Sequence, residues 1–351
     1  MTTASDRLTR AFPWLFDHLD ADDVAAFAAR LGRRSFAADE ALVTYGTVSD
    51  TLFFLPEGGV RVSLGRAGHA LGLDDEEGLR LVGDLGVMRP GPASATVAAR
   101  RPTEAFLLTH AQLVASIEEA DSPVTARLLL RLAQRIALRV RQGSRVSFEE
   151  GPGGQGHLHS AFAPVDDQMG RIPTQLATMP HKGAGFGGKA PRVAEARLRA
   201  MLRAEAELAA LGDPMLDALV RTVEIRTCEP GTVLMEQGTR ADGAYYLLDG
   251  EARVHSSGED GADFAVDKAV GPGHLLGQIA FVLDGERTAH VTVSQRSTVA
   301  VFYSAAVAWL VDGGAAGARA GAHFLHWIAA ELADDARELN ARLLGAWDAR
   351  A

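Results

Sequence analysis

The chain states one order of signals twice. The first time, a helical pattern on Leu19, Val24, Phe27 and Leu31 leads to Phe36 and Gly46. Thr51-Leu52-Phe53-Phe54-Leu55 and Gly59-Val60-Arg61-Val62-Ser63-Leu64 follow. The second time, Leu216, Leu219 and Val223 precede Pro230-Gly231-Thr232-Val233-Leu234, Gly238, Ala244-Tyr245-Tyr246-Leu247-Leu248 and Gly250-Glu251-Ala252-Arg253-Val254. The paired glycines lie 13 positions apart in one copy and 12 in the other. Beyond them apolar residues alternate: Val60, Val62 and Leu64 in the first copy, Ala252 and Val254 in the second. Period-two alternation bounded by glycine turns predicts short antiparallel strands with one buried face, and many in series predict a roll or barrel.

Each strand block closes in helical spacing. Leu128, Leu129, Leu132, Ile136 and Val140 form one apolar stripe, and Phe324, Ile328, Leu332, Leu339, Leu343 and Trp347 the other. The expected fold is mainly β with flanking helices: two jelly rolls joined by a long linker. The expected units are 10–143, a Gly/Pro-rich flexible linker over 144–191, and 192–351. Within the last, Pro191 and the apolar series Val193, Leu198, Met201, Leu202, Leu208 and Leu211 predict a leading helix ending at Gly212.

Composition narrows the function classes. The 351 residues suit two or three domains, and 47% are apolar, enough for real cores. A net charge of −10 argues against a nucleic-acid partner. Cys228 is the only cysteine, so an internal disulfide and a cysteine-rich metal site are both excluded. Met1 to Arg10 lack a signal peptide's apolar core. The longest uncharged apolar run, about 297 to 311, is too short to span a bilayer and reads as a strand followed by a helix. A cytoplasmic protein with no membrane contact is expected.

The most informative segment is Gly277-Gln278-Ile279-Ala280-Phe281-Val282-Leu283-Asp284-Gly285-Glu286-Arg287-Thr288-Ala289. A glycine opens a short helical turn, and an arginine follows ten residues later. Free N–H groups at a helix start and one guanidinium fork together suit a single phosphate. The segment resembles the phosphate-binding cassette of cyclic-nucleotide-binding domains, usually Gly-Glu-x-Ala-Leu-Leu, a spacer, then Arg-Ala-Ala or Arg-Thr-Ala. It keeps Gly277, Ala280, Arg287 and Ala289 and has Gln278 in place of glutamate. The tandem rolls resemble those of catabolite activators and protein kinase A regulatory subunits, without a helix-turn-helix.

The resemblance implies a ligand, cAMP or cGMP, contacted by Gly277, Gln278, Ile279, Ala280, Arg287, Thr288 and Ala289. In the family the glutamate accepts from the ribose 2′-hydroxyl. Gln278 can accept without the charge, at a cost of about 1 kcal/mol. Thr288 either reaches a purine, as in relatives that take cGMP, or is an ordinary strand threonine. Arg287 either grips phosphate or pairs at the surface with Glu286 or Asp284, in which case the pocket is a retired one.

The first copy aligns without a gap as Gly83-Asp84-Leu85-Gly86-Val87-Met88-Arg89-Pro90-Gly91-Pro92-Ala93. Ala93 stands at the arginine position. This roll is expected not to bind cyclic nucleotide, and Arg89 reads as a solvated loop arginine. Gly183-Ala184-Gly185-Phe186-Gly187-Gly188-Lys189 begins like a phosphate loop but continues into Ala190 with no preceding strand. His157, His159 and His181 lack companions for a metal site. Asp74-Asp75-Glu76-Glu77 lacks calcium-loop spacing and reads as a solvated loop. No catalytic constellation appears.

The expected function is a non-enzymatic cyclic-nucleotide sensor or regulatory protein with no cofactor. Its expected partners are the ligand and either a protein partner or a second copy joined through the C-terminal helix, whose apolar series Ile328, Leu332, Leu339, Leu343 and Trp347 either pairs with another chain or packs back on its own domain. The alternative is a structural scaffold whose two rolls no longer bind ligand.

Overall fold

The computed structural model describes residues 2–17, 19–57, 59–65, 71–73, 80–119, 123–144, 165–174, 176, 192–256, 266–312 and 315–348. Strand alternation closes into two antiparallel rolls. In the first, one sheet orders Gly32–Phe36, Thr103–Thr109, Thr51–Phe54 and Leu81–Val82 side by side. The other orders Ala41–Val43, Ala95–Ala99, Val60–Leu64 and Leu71–Leu73. Phe54 faces Phe106 and Val62 faces Val97 across the ladders. In the second roll the two central strands run unbroken for 14 residues each, Gly243–Ser256 and His290–Tyr303. Shifts of register near Asp249 and Glu251 bend them. The first roll covers the same path with separate short strands.

Each roll carries a short turn helix, Asp84–Met88 in the first and Gln278–Leu283 in the second. Each also ends in a long helix, Pro123–Ser144 and Ala315–Asp348. These two long helices pack against each other, so the rolls meet along a seam within one chain. Gly143 permits close approach: a Cβ there would lie 2.7 Å from Leu339 Cδ2. Leu129, Leu132 and Ile136 from one seam helix and Ile328, Leu332, Leu339 and Leu343 from the other are buried in one core, with Phe54, Phe106, Tyr246 and Phe302 from the rolls. The apolar series offered for pairing with another chain is thus covered by the first roll's own helix; Trp347 lies outside the described side chains.

The stretch 144–191, composed like a flexible linker, contains a packed segment. Asp166–Met169 is helical, and Val165, Met169 and Leu176 are buried in the shared core. Arg131, itself buried, donates to the Met169 carbonyl at 2.6 Å and to the Ile172 carbonyl at 3.2 Å. Three apolar residues spread over twelve positions make no periodic pattern, which is why composition hid them. The glycine-lysine loop at 183–189, His157, His159, His181 and the acidic run 74–77 lie outside the described residues. The leading helix spans Arg192–Ala204 and gives way to turns before Asp213–Arg221. No described helix is long and apolar enough to cross a membrane.

The seam predicts cooperative unfolding. Leu332→Ala, at a fully buried position, is expected to cost about 2–5 kcal/mol. It should shift the urea midpoint equally by tryptophan fluorescence and by far-ultraviolet circular dichroism. Two separated transitions would show that the rolls unfold independently.

Candidate functional site

Gly277 sits at φ +78, in the left-handed region, immediately before the second turn helix. A Cβ on it would collide with Nη1 of Arg287 and lie 2.8 Å from Sδ of Met235. Both backbone angle and space therefore demand glycine. Arg287 is 5% exposed. Its Nη2 donates to Asp242 Oδ1 at 3.0 Å and to the Gly243 carbonyl at 2.7 Å, and its Nη1 donates to the Gly277 carbonyl at 3.2 Å. The guanidinium lies 5.5 Å from the centre of the Tyr245 ring. Burial pulls its pKa down, partly offset by Tyr245 and Asp242; an arginine stays charged regardless. Of its five N–H donors, Nε–H and one on Nη1 have no acceptor among the described residues.

The surface pairing open to Arg287 does not form. Asp284 is taken by Arg240, at 2.6 Å. Gln278 does not stand free either: its Nε2 donates to Asp335 of the second seam helix at 2.7 Å. Burial raises the Asp335 pKa, and the Gln278 bond opposes that rise. The glutamine's Oε1 remains as an acceptor. Ile279 is half-buried against the shared core and Ala280 is buried, so both hold the turn helix in place. Thr288 is exposed and Ala289 half-buried just before the strand at His290. Of the seven residues singled out from sequence, Gly277 and Arg287 touch, and Gln278 bonds the seam.

The first roll departs from this pattern. Gly83 repeats the left-handed φ, at +91, and a Cβ there would collide with the Thr51 carbonyl oxygen. Asp84, at the cassette acid position, is buried. It accepts from Nη1 of Arg139 at 2.9 Å on each oxygen, from the Leu85 N–H at 3.1 Å, and from Arg135. Burial alone would raise its pKa, but Arg139 and Arg135 outweigh it and hold it at about 2. Arg89 is not a solvated loop residue. It forks onto Glu207 with two 2.9 Å bonds, reaches Glu331 at 3.1 Å and also pairs with Asp334. Glu207 comes from the turns that end the leading helix early, and Glu331 and Asp334 from the second seam helix. Residues from three separate stretches of sequence thus join the two rolls.

The sequence reading missed Asp242, Asp335, Arg135, Arg139 and Arg337. Arg127, Arg131, Arg135 and Arg139 follow one another at four-residue spacing along a helix rich in leucine and alanine, the one signal that marked Arg135 and Arg139. Nothing local distinguishes Asp242. Among the described residues no group of three or more His, Cys, Asp or Glu side chains is placed to hold a metal ion.

Comparison with known proteins gives a family match for the second roll. The model of the cyclic nucleotide-binding domain family matches residues 225–313, from the first strand of that roll to the helix after its last strand. Among the solved structures similar to this chain are three that follow. One is the regulatory domain of Toxoplasma gondii PKA co-crystallised with cAMP, 14% identical over 90% of this chain and 94% of that one, with a TM-score of 0.30. Another is a cyclic nucleotide-binding domain from Methylobacillus flagellatus, 17% identical over 43% of this chain and 83% of that one, TM-score 0.39. The third is the N-terminal domain of a transcriptional regulator from Streptomyces coelicolor, 28% identical over 39% of this chain and 93% of that one, TM-score 0.33.

A buried histidine gives the region a pH dependence. His326 of the second seam helix is 3% exposed and bonds the Met88 carbonyl through Nε2 at 2.9 Å. Burial pushes its pKa from 6.5 to about 4, with Glu207, His110 and His323 as charged or titratable neighbours. The unfolded chain binds a proton in this window and the folded one does not, so stability falls as pH drops from about 6.5 to 4. His326→Gln, which can still donate to Met88, should flatten the slope of urea midpoint against pH there. An unchanged slope would contradict the assignment.

Proposed function

We propose that this chain is a non-enzymatic regulatory protein whose second roll captures a cyclic nucleotide, cAMP or cGMP, and relays the event through the seam to a protein partner. The observation that carries this reading is Arg287. It is buried, fixed by Asp242 and two carbonyls, and keeps two donors uncommitted beside the glycine-opened turn. The family match over 225–313 supports it.

A phosphodiester carries one negative charge, which is costly to bury unless paired and hydrogen-bonded. An arginine already held in place loses little entropy on meeting it. Gly277, Ile279 and Ala280 would present the turn's backbone, and Gln278 Oε1 would accept from a ribose hydroxyl. Thr288 and Ala289 would border the base. Gln278 also bonds Asp335, so a ligand that draws on Gln278 alters a contact to the seam. Such a relay works only to the extent that the ligand prefers one arrangement of that contact over another.

Thermal shift with cAMP and cGMP tests the reading. At a hundredfold excess over Kd, binding should add about 2.7 kcal/mol to stability. Arg287→Ala should abolish the shift. Arg287→Lys, which keeps a charge beside Asp242 but loses the fork, should bind at least about ten-fold more weakly. No shift with either nucleotide at millimolar concentration would leave the rolls as assembly modules.

A further inference from the structure

We infer that the first roll holds a second ligand site, for a small organic acid, whose anionic group is gripped by Arg337 and Arg139. The site is a half-enclosed cavity of about 120 Å³. Its apolar walls include Val43, Val62, Leu64, Val82, Val97 and Val165, and its polar lining includes Ser94, Arg135, Arg139, Arg337 and Asn340. An engineered cavity of roughly 150 Å³ holds benzene, so the occupant's body is of about single-ring size.

Hydrogen-bond capacity decides the ligand's charge. Asp84 is the only carboxylate on the described wall, and both its oxygens are taken by Arg135, Arg139 and the Leu85 N–H. Three guanidiniums line the same space. Among the described residues Arg139 donates only through Nη1, which leaves its Nε–H and Nη2 donors uncommitted. Arg337 uses one hydrogen of Nη1 on Asp334 and both of Nη2 on the Leu85 and Arg89 carbonyls, leaving Nε–H and one on Nη1. Ser94 accepts from Asn340 at 3.0 Å and keeps its own hydrogen to donate. Against these donors the lining side chains offer as acceptors chiefly Asn340 Oδ1 and the hydroxyls of Ser49 and Ser94, and such a donor-rich wall suits a carboxylate or a phosphate monoester.

Arg337 also occupies an informative place. Its Cζ lies 3.3 Å from where a Cβ of Gly91 would stand. Gly91 is two residues before Ala93, the position at which the second roll carries Arg287. The guanidinium that the first roll's own loop lacks arrives instead from the other roll's seam helix. Asp84, already saturated, has no lone pair left for a sugar hydroxyl, so a cyclic nucleotide is not the expected occupant. Since Arg337 and Asn340 belong to one seam helix and Arg139 to the other, the ligand would bridge both.

Titration calorimetry on the full chain tests this, with benzoate and phenyl phosphate as anionic probes and benzamide as the neutral isostere. The expected result is binding of at least one anion and none by benzamide; the tighter anion identifies the head group. Arg337→Gln should weaken binding about ten-fold or more. Because Arg337 also caps backbone carbonyls, Val62→Phe serves as a second variant. It fills the cavity, leaves every charge in place, and should abolish binding while circular dichroism is unchanged. Arg287→Ala should bind the acid normally. Equal binding of benzamide, binding that survives both first-roll variants, loss in Arg287→Ala, or no binding by either anion would each overturn the proposal.

Discussion

An exchange of caps holds the molecule together. The last carbonyls of any helix lack partners within it, and each turn helix here is only five or six residues long. In the first roll, the carbonyls of Leu85 and Met88 are met by Arg337 and His326. Both belong to the second roll's terminal helix. In the second roll, the carbonyl of Val282 is met by Gln134 of the first roll's terminal helix at 2.9 Å. These bonds across the seam add to caps made within each roll, such as His110 on the Val87 carbonyl at 2.8 Å. A cation at a helix C-terminus also suits the helix dipole, which Arg337 supplies. The apolar seam gives affinity between the rolls, and these polar groups fix which residues face one another. Arg89 adds to that register with its Glu207, Glu331 and Asp334 partners.

Within this frame the rolls have diverged in how they treat charge. The second keeps a buried arginine on its own loop, balanced by Asp242. The first has lost that arginine and turned its cassette acid inward, where Arg135 and Arg139 hold it ionised. Asp166 in turn pairs with Arg135 at 2.6 Å. Buried ion pairs are weak sources of stability but costly to break, so this network specifies an arrangement more than it strengthens one. The turn-helix glycines are common to both rolls because a left-handed φ and a crowded Cβ position are required in each.

Much of the fold was legible because its signals are local. Alternation at Val60, Val62 and Leu64, and the glycines between strands, report strand and turn without reference to distant residues. Gly277 and Arg287 were legible for the same reason, being ten positions apart on one loop. What lies between elements was not legible. The apolar series from Ile328 to Leu343 announced a buried face but not its occupant, and the first roll's helix fills it as well as a second chain would. Arg89 read as solvated because its partners stand 118 to 245 positions away. Asp242 and Arg337 carry their roles only once the chain has brought them beside Arg287 and Gly91.

Hydrogen-exchange mass spectrometry of the full chain, with and without saturating cAMP, tests most directly whether the seam makes the two rolls one responsive body. Altered protection is expected at 278–283 and, across the seam, in the helix Pro123–Ser144 whose Gln134 caps that turn. Changes confined to 225–313 alongside demonstrated binding would contradict it.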